Sequence, residues 1–214
     1  MLLRSLWIVF SENKIVPSPP AQDFEDSSRK AMILRKSATK TGVLISPSDG
    51  QIYYHSALAL LVAAWEAYIE NLTRVFISEI ADPLNIKYLN IHNILSDRLE
   101  DYLKRFNTPS FENSRNLLVN YTGYDPIGDW VWTARRMNAV ATRERLNEIL
   151  KVRHSFAHGF SIPSFSWTQS PSGQVRLTAS AIDDVNAFLR FIVKATDNGM
   201  KKYIRNHFGI NTGW

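Results

Sequence analysis

The chain has 214 residues, a formal net charge of +5 and no cysteine. A chain of this length can bury roughly 70% of its unfolded surface around one core, and without cysteine it has no disulfide framework, cysteine–zinc site, iron–sulfur cluster or thiol nucleophile. Hydrophobic residues at 45% and charged ones at 21% are a globular balance, and the longest apolar run, residues 57–65, is under half of the roughly 20 a membrane helix needs.

Taken in chain order, residues 1–10 are apolar, but Arg4 interrupts them and Glu12 and Lys14 follow at once, unlike a secretory signal. A cytoplasmic location without membrane contact is expected. Residues 6–10 read as a short strand or docking arm, and residues 1–20 as an arm and linker preceding one domain over 21–214. Pro17, Pro19 and Pro20 mark residues 11–28 as loop, a helix is expected over about 24–40, and Gly42, Pro47 and Gly50 break it. The strongest periodicity follows: Leu58, Leu61, Val62, Trp65, Ile69, Leu72, Phe76 and Ile80 recur at steps of three and four, which predicts a long amphipathic helix over 52–80. Further helices are expected over 86–106 and 110–120, from Thr133 or Thr142 to His158, and from an N-cap pair of Ser180 and Asp183 to about 206. Segments 164–168 and 174–178 flank a Ser-Pro-Ser-Gly turn and suggest a small hairpin. The expected fold is all-α, an up-and-down bundle of four to six helices with at most a minor β-hairpin.

The charge is localised. Arg135, Arg136, Arg143, Arg145, Lys151 and Arg153 face only Glu144 and Glu148 between residues 133 and 158, and the rest of the chain is nearly balanced. Such a stripe suits a polyanion such as RNA, or is a solvated helix face. Trp130, Trp132 and Tyr124, just before it, offer rings for unpaired bases, although two of the three read better as core or interface. There is no glycine-rich phosphate loop, Gly-x-Ser-x-Gly elbow or His-Glu-x-x-His.

What remains is a histidine-rich helix end, Arg153-His154-Ser-Phe-Ala-His158-Gly159. On a helical wheel Ala139, Leu146, Ile149, Leu150, Phe156 and Ala157 form the inward stripe, with Arg153 near its middle. A charge there needs a partner or a polar pocket: Glu66 or Glu70 of the long helix as a structural bridge, or a second chain. His154 and His158 are one turn apart beside the stripe, and Gly159 lets the chain leave in a left-handed turn. A His-x-x-x-His pair can supply two zinc ligands, but no acidic residue is placed as a third. No metal and no cofactor are expected. Histidine moves protons near neutral pH and arginine stabilises charge growing on phosphate. Together they suffice to cut RNA, whose 2′-hydroxyl is its own nucleophile.

The Arg153-x4-His158 spacing resembles the Arg-x(4–6)-His motif of HEPN domains, and His154 supplies the polar residue that family prefers after the arginine. Residues 145–159 and Leu61-Val-Ala-Ala-Trp-Glu-Ala-Tyr-Ile-Glu70 resemble the RiboL-PSP-HEPN-like branch, over roughly residues 50–206. The resemblance implies a helical bundle that dimerises with two motifs at a composite site. It also implies metal-independent endoribonuclease activity in toxin–antitoxin, antiphage or RNA-processing systems, with an antitoxin or regulatory protein as a further partner. Other members have lost catalysis and only bind RNA or protein. Some related toxins continue the motif as His-x-Tyr; Phe160 here departs from that, so control by tyrosine modification is not implied.

Arg153 and His158 lie about 140° apart around a helix, which independently favours a homodimer in which each chain lends one of them. On this reading His158 is the general acid or base, Arg153 stabilises the phosphorane and His154 assists. Glu66 orients a catalytic group or forms a structural bridge, and Arg135, Arg136, Arg143, Arg145 and Lys151 hold the RNA backbone. A non-catalytic module and a zinc hydrolase are the alternatives.

Overall fold

Short polar side chains begin most of the helices. Ser18, Ser46, Ser110, Asn138 and Thr178 each accept a hydrogen bond from the backbone N–H three residues on, covering one of the donors that a helix start leaves open. The computed structural model describes residues 16–39, 46–82 and 85–214. Six α-helices lie there: α1 (Pro19–Ser37), α2 (Pro47–Glu79), α3 (Ile86–Leu103), α4 (Phe111–Thr122), α5 (Ala139–Ala157) and α6 (Ala179–Phe208). Single 3-10 turns sit at Pro126–Gly128 and Thr133–Arg135. The fold is an all-α bundle, and among the described residues the expected hairpin is reduced to one isolated bridge between Gln169 and Val175.

Three boundaries differ from the sequence reading for local reasons. Pro19 and Pro20 open α1 instead of belonging to a loop, because proline's fixed φ and missing N–H suit the first helical turn. Pro47 and Gly50 likewise fall inside the first turn of α2. The cap of α6 is Thr178, two residues before the expected Ser180. The expected arm at 6–10 and the break at Gly42 lie outside the described residues.

Helix α2, roughly 50 Å long at 1.5 Å per residue, is the axis, and each of the other five helices packs on it. Trp65, Leu58, Leu61, Ile69 and Leu72 are fully buried along its length. The Trp65 indole donates to the Pro109 carbonyl (3.1 Å), and the Tyr68 hydroxyl donates to that of Val193 (3.1 Å). Helix α1 runs antiparallel to α6: Ser18 meets Asp197, Glu25 meets Arg190, Ser28 meets Asn186 and Arg35 meets Asp183. At the first of these, the backbone N–H and the hydroxyl of Ser18 both donate to the buried Asp197 carboxylate.

The 120–132 segment crosses α6 where that helix carries Gly199. Tyr124 and Asp129 share a 2.6 Å hydrogen bond there, and a Cβ on Gly199 would collide with both. Gly199→Ala is therefore expected to destabilise the protein by about 1–3 kcal/mol. Calorimetry checks this as a fall in Tm of roughly 2–12 °C; an unchanged Tm would show that the 120–132 segment is not tightly seated.

Candidate functional site at the end of helix α5

Leu146, Ile149 and Val152 are fully buried and fix the rotation of α5. Its last turn closes in a Schellman arrangement: Gly159 adopts φ +72, its N–H donates to the Phe156 carbonyl (3.2 Å), and the Phe160 N–H reaches the Ser155 carbonyl (2.7 Å). The expected left-handed exit at Gly159 is thus present. His154 and His158 emerge side by side on the exposed flank, ring centroids 4.2 Å apart.

Arg153 follows the inward line but is only half-buried. It reaches a small cleft lined by Val62 and Glu66 of α2, by residues 107–109 and by His154. Of the alternatives open to it, the structural bridge is not formed among the described residues: Glu70 pairs with Arg74 (3.5 Å), and no ion pair within 4.0 Å joins Glu66 to Arg153. Glu66 still feels that guanidinium. Its carboxyl is pushed above the usual range by burial and by Glu70, and the Arg153 charge opposes the shift. Arg153, His154 and Glu66 therefore share one cleft, and His158 joins it through the His154 ring.

The inward stripe fails at its end. Ala157, expected inside, is exposed, and of the two stripe residues in the last turn only Phe156 stays packed, stacked on His55 of α2 at 4.6 Å. His55 was not foreseen. It lies in register with Val62 and Glu66, seven and eleven residues on, and that spacing was the available signal. Burial lowers its pKa, and its Nε2 is sealed without a hydrogen-bond partner.

The basic stripe divides. Arg145 is largely buried over the Trp167 ring (4.4 Å) beside Glu148, which accepts the Trp167 indole N–H (2.9 Å); burial lowers its pKa. Arg143 pairs with Glu112 (2.5 Å), and Arg135 sits over Trp132 near Asp184 of α6. Arg136 and Lys151 are exposed with no ion pair among the described residues. Of the candidate stacking rings, Trp130 and Tyr124 are buried, bonded to Thr196 and Asp129, and Trp132 is half-buried, stacked on Phe191. No group of three or more His, Asp or Glu side chains among the described residues is placed to hold a metal ion, and no helix there is long and apolar enough to cross a membrane.

The all-α bundle is the kind of fold expected for a HEPN-type domain, a class whose members are often RNases. The RiboL-PSP-HEPN family model matches residues 27–202, and the chain belongs to that family. No curated protein and no solved structure matches it.

Because burial disfavours charged His55, the unfolded chain binds its proton more readily. Stability is then complete above the ordinary histidine pKa of about 6.5 and declines as pH falls through the lowered folded value. Glu66, shifted upward, has the opposite sign and loses its contribution as pH rises. His55→Phe, which keeps a ring against Phe156, is expected to flatten the decline of Tm just below pH 6.5. An unaltered profile in thermal melts across pH 5–8 would assign that decline elsewhere.

Proposed function

We propose that the protein is a metal-independent endoribonuclease acting as a homodimer, in the cytoplasm. The observation that carries this reading is the end of α5, where two exposed imidazoles 4.2 Å apart stand beside a cleft holding a guanidinium. In the reaction the ribose 2′-hydroxyl attacks the adjacent phosphorus, and the P–O5′ bond breaks. His158 transfers the proton, from the 2′-oxygen or to the departing 5′-oxygen, and His154 assists it. Arg153 stabilises the charge of the pentavalent intermediate. The products are a 2′,3′-cyclic phosphate and a 5′-hydroxyl.

The placement of the groups supports a homodimer: Arg153 lines the α2 cleft directly, whereas His158 borders it only through the His154 ring, at the helix end. A two-fold partner brings His158 of one chain to Arg153 of the other. Lys151 and Arg136 hold the backbone of the RNA; Arg136 precedes α5, whose first residue is itself roughly 21 Å along the helix axis from Arg153, so Arg136 and Arg153 serve different phosphates. A role in a toxin–antitoxin, antiphage or RNA-processing system fits this activity, with an antitoxin or other regulatory protein as a partner.

His158→Ala is expected to lower cleavage by about 10²-fold or more, with wild-type activity surviving a chelator and absent on a deoxyribose substrate. End-group analysis of the products checks the mechanism, and cutting of the deoxy substrate would refute it. Mixing Arg153→Ala with His158→Ala protein is expected to recover about one quarter of wild-type activity, since half the dimers then hold one intact site of two. No recovery after verified subunit exchange would place both groups of each site in one chain.

A further inference from the structure

Phe160 is one of the most exposed large apolar side chains among the described residues, at 65%, yet its backbone is firmly held. It follows Gly159 in the Schellman turn, at the position that usually packs its side chain back on the last helical turn. Ser155 and His154 occupy that turn, so the apolar contact usual in this motif is not made there. The result is a ring held in place and left uncovered, with its centroid 6.2 Å from that of His158 and the two planes within 27°.

The ring also forms one wall of an open groove of about 730 Å³ between α5 and the 108–112 segment, shared with Leu150, Pro163, Thr108, Lys151 and His154. Leu150, Phe160 and Pro163 give it apolar surface, Lys151 adds a cation, the Glu112 carboxylate (paired with Arg143) and Asn147 add polar edges, and the His154 imidazole also lines it. That combination suits a nucleobase, which has a π face, a polar edge and an attached phosphate. Successive nucleotides of a stacked strand are about 3.4 Å apart, so Phe160 is one or two nucleotide steps from His158.

We infer that Phe160 is a stacking platform for an unpaired base next to the scissile phosphate, which makes single-stranded RNA the substrate class. The inference rests on the cleavage reading for the position of that phosphate. In an A-form duplex the bases stack on each other and their faces are covered, so paired RNA cannot use the platform.

The test uses the full chain and a 2′-O-methyl RNA oligonucleotide, which binds but offers no 2′-hydroxyl for cleavage. Fluorescence anisotropy is measured for wild type, Phe160→Ala, Phe160→Leu and Phe160→Trp, on the single strand and on its duplex. Light scattering reports the mass of each variant and circular dichroism its folding. Loss of a base stack is expected to weaken single-strand binding by about 5- to 150-fold in Phe160→Ala. Phe160→Trp retains affinity, Phe160→Leu recovers little of it, and duplex binding does not change. Wild-type affinity in Phe160→Ala, equal rescue by Leu and Trp, a change in mass showing a contact between protein chains, or no single-strand binding by wild type would each overturn the inference. If the graded binding appears but ribose RNA is never cut, stacking stands and the cleavage reading falls. If cutting depends on His158 while all Phe160 variants bind alike, the reverse holds.

Discussion

Helix α2 carries buried apolar side chains along its whole length, and this constraint organises the molecule. Those rows must be covered by other elements, and each fully buried large side chain contributes about 1.5–3 kcal/mol relative to exposure. Trp65, Leu58, Leu61, Ile69 and Leu72 draw the other five helices onto it. The candidate site lies where that cover is interrupted by His55 and Glu66, polar side chains in register with the apolar rows. Helix α5 crosses them with Phe156 on His55, and with Arg153 and His154 at the cleft beside Glu66.

The same few residues at the end of α5 divide packing from display. Hydrogen bonds of the Schellman turn satisfy the last carbonyls without a side chain, so His154, His158 and Phe160 are not needed as caps. Upstream, Arg145 and Arg143 are engaged by Trp167, Glu148 and Glu112. Formal charge in the stripe thus overstates the positive surface offered to a polyanion, and Lys151 and Arg136 remain as its exposed cations without an ion pair among the described residues.

Much of the bundle was legible because periodicity reports burial directly. The long row from Leu58 to Phe76 marks α2, Gly159 marks the left-handed exit of α5, and the sequence names Arg153, His154 and Glu66, which the fold brings to one cleft. What escaped depended on context. Prolines that read as a loop open α1, since their effect depends on which turn they occupy. The 164–178 segment carries turn residues suited to a hairpin, but tertiary anchoring of Trp167 to α5 holds it otherwise. Of the three rings before α5, two read as core or interface from the sequence, but which two depended on Trp130 and Tyr124 finding polar partners inside. His55 was overlooked because one histidine in an apolar helix carries no sign of what will stack on it.

The antiparallel seam between α1 and α6 joins distant parts of the polypeptide, with 179 residues separating Ser18 from Asp197. Such non-local pairing has to wait for the last helix to be made. During translation α2 therefore stays incompletely covered until α6 leaves the ribosome. The scaffold that positions the α5 terminus is therefore unfinished for most of the chain's synthesis.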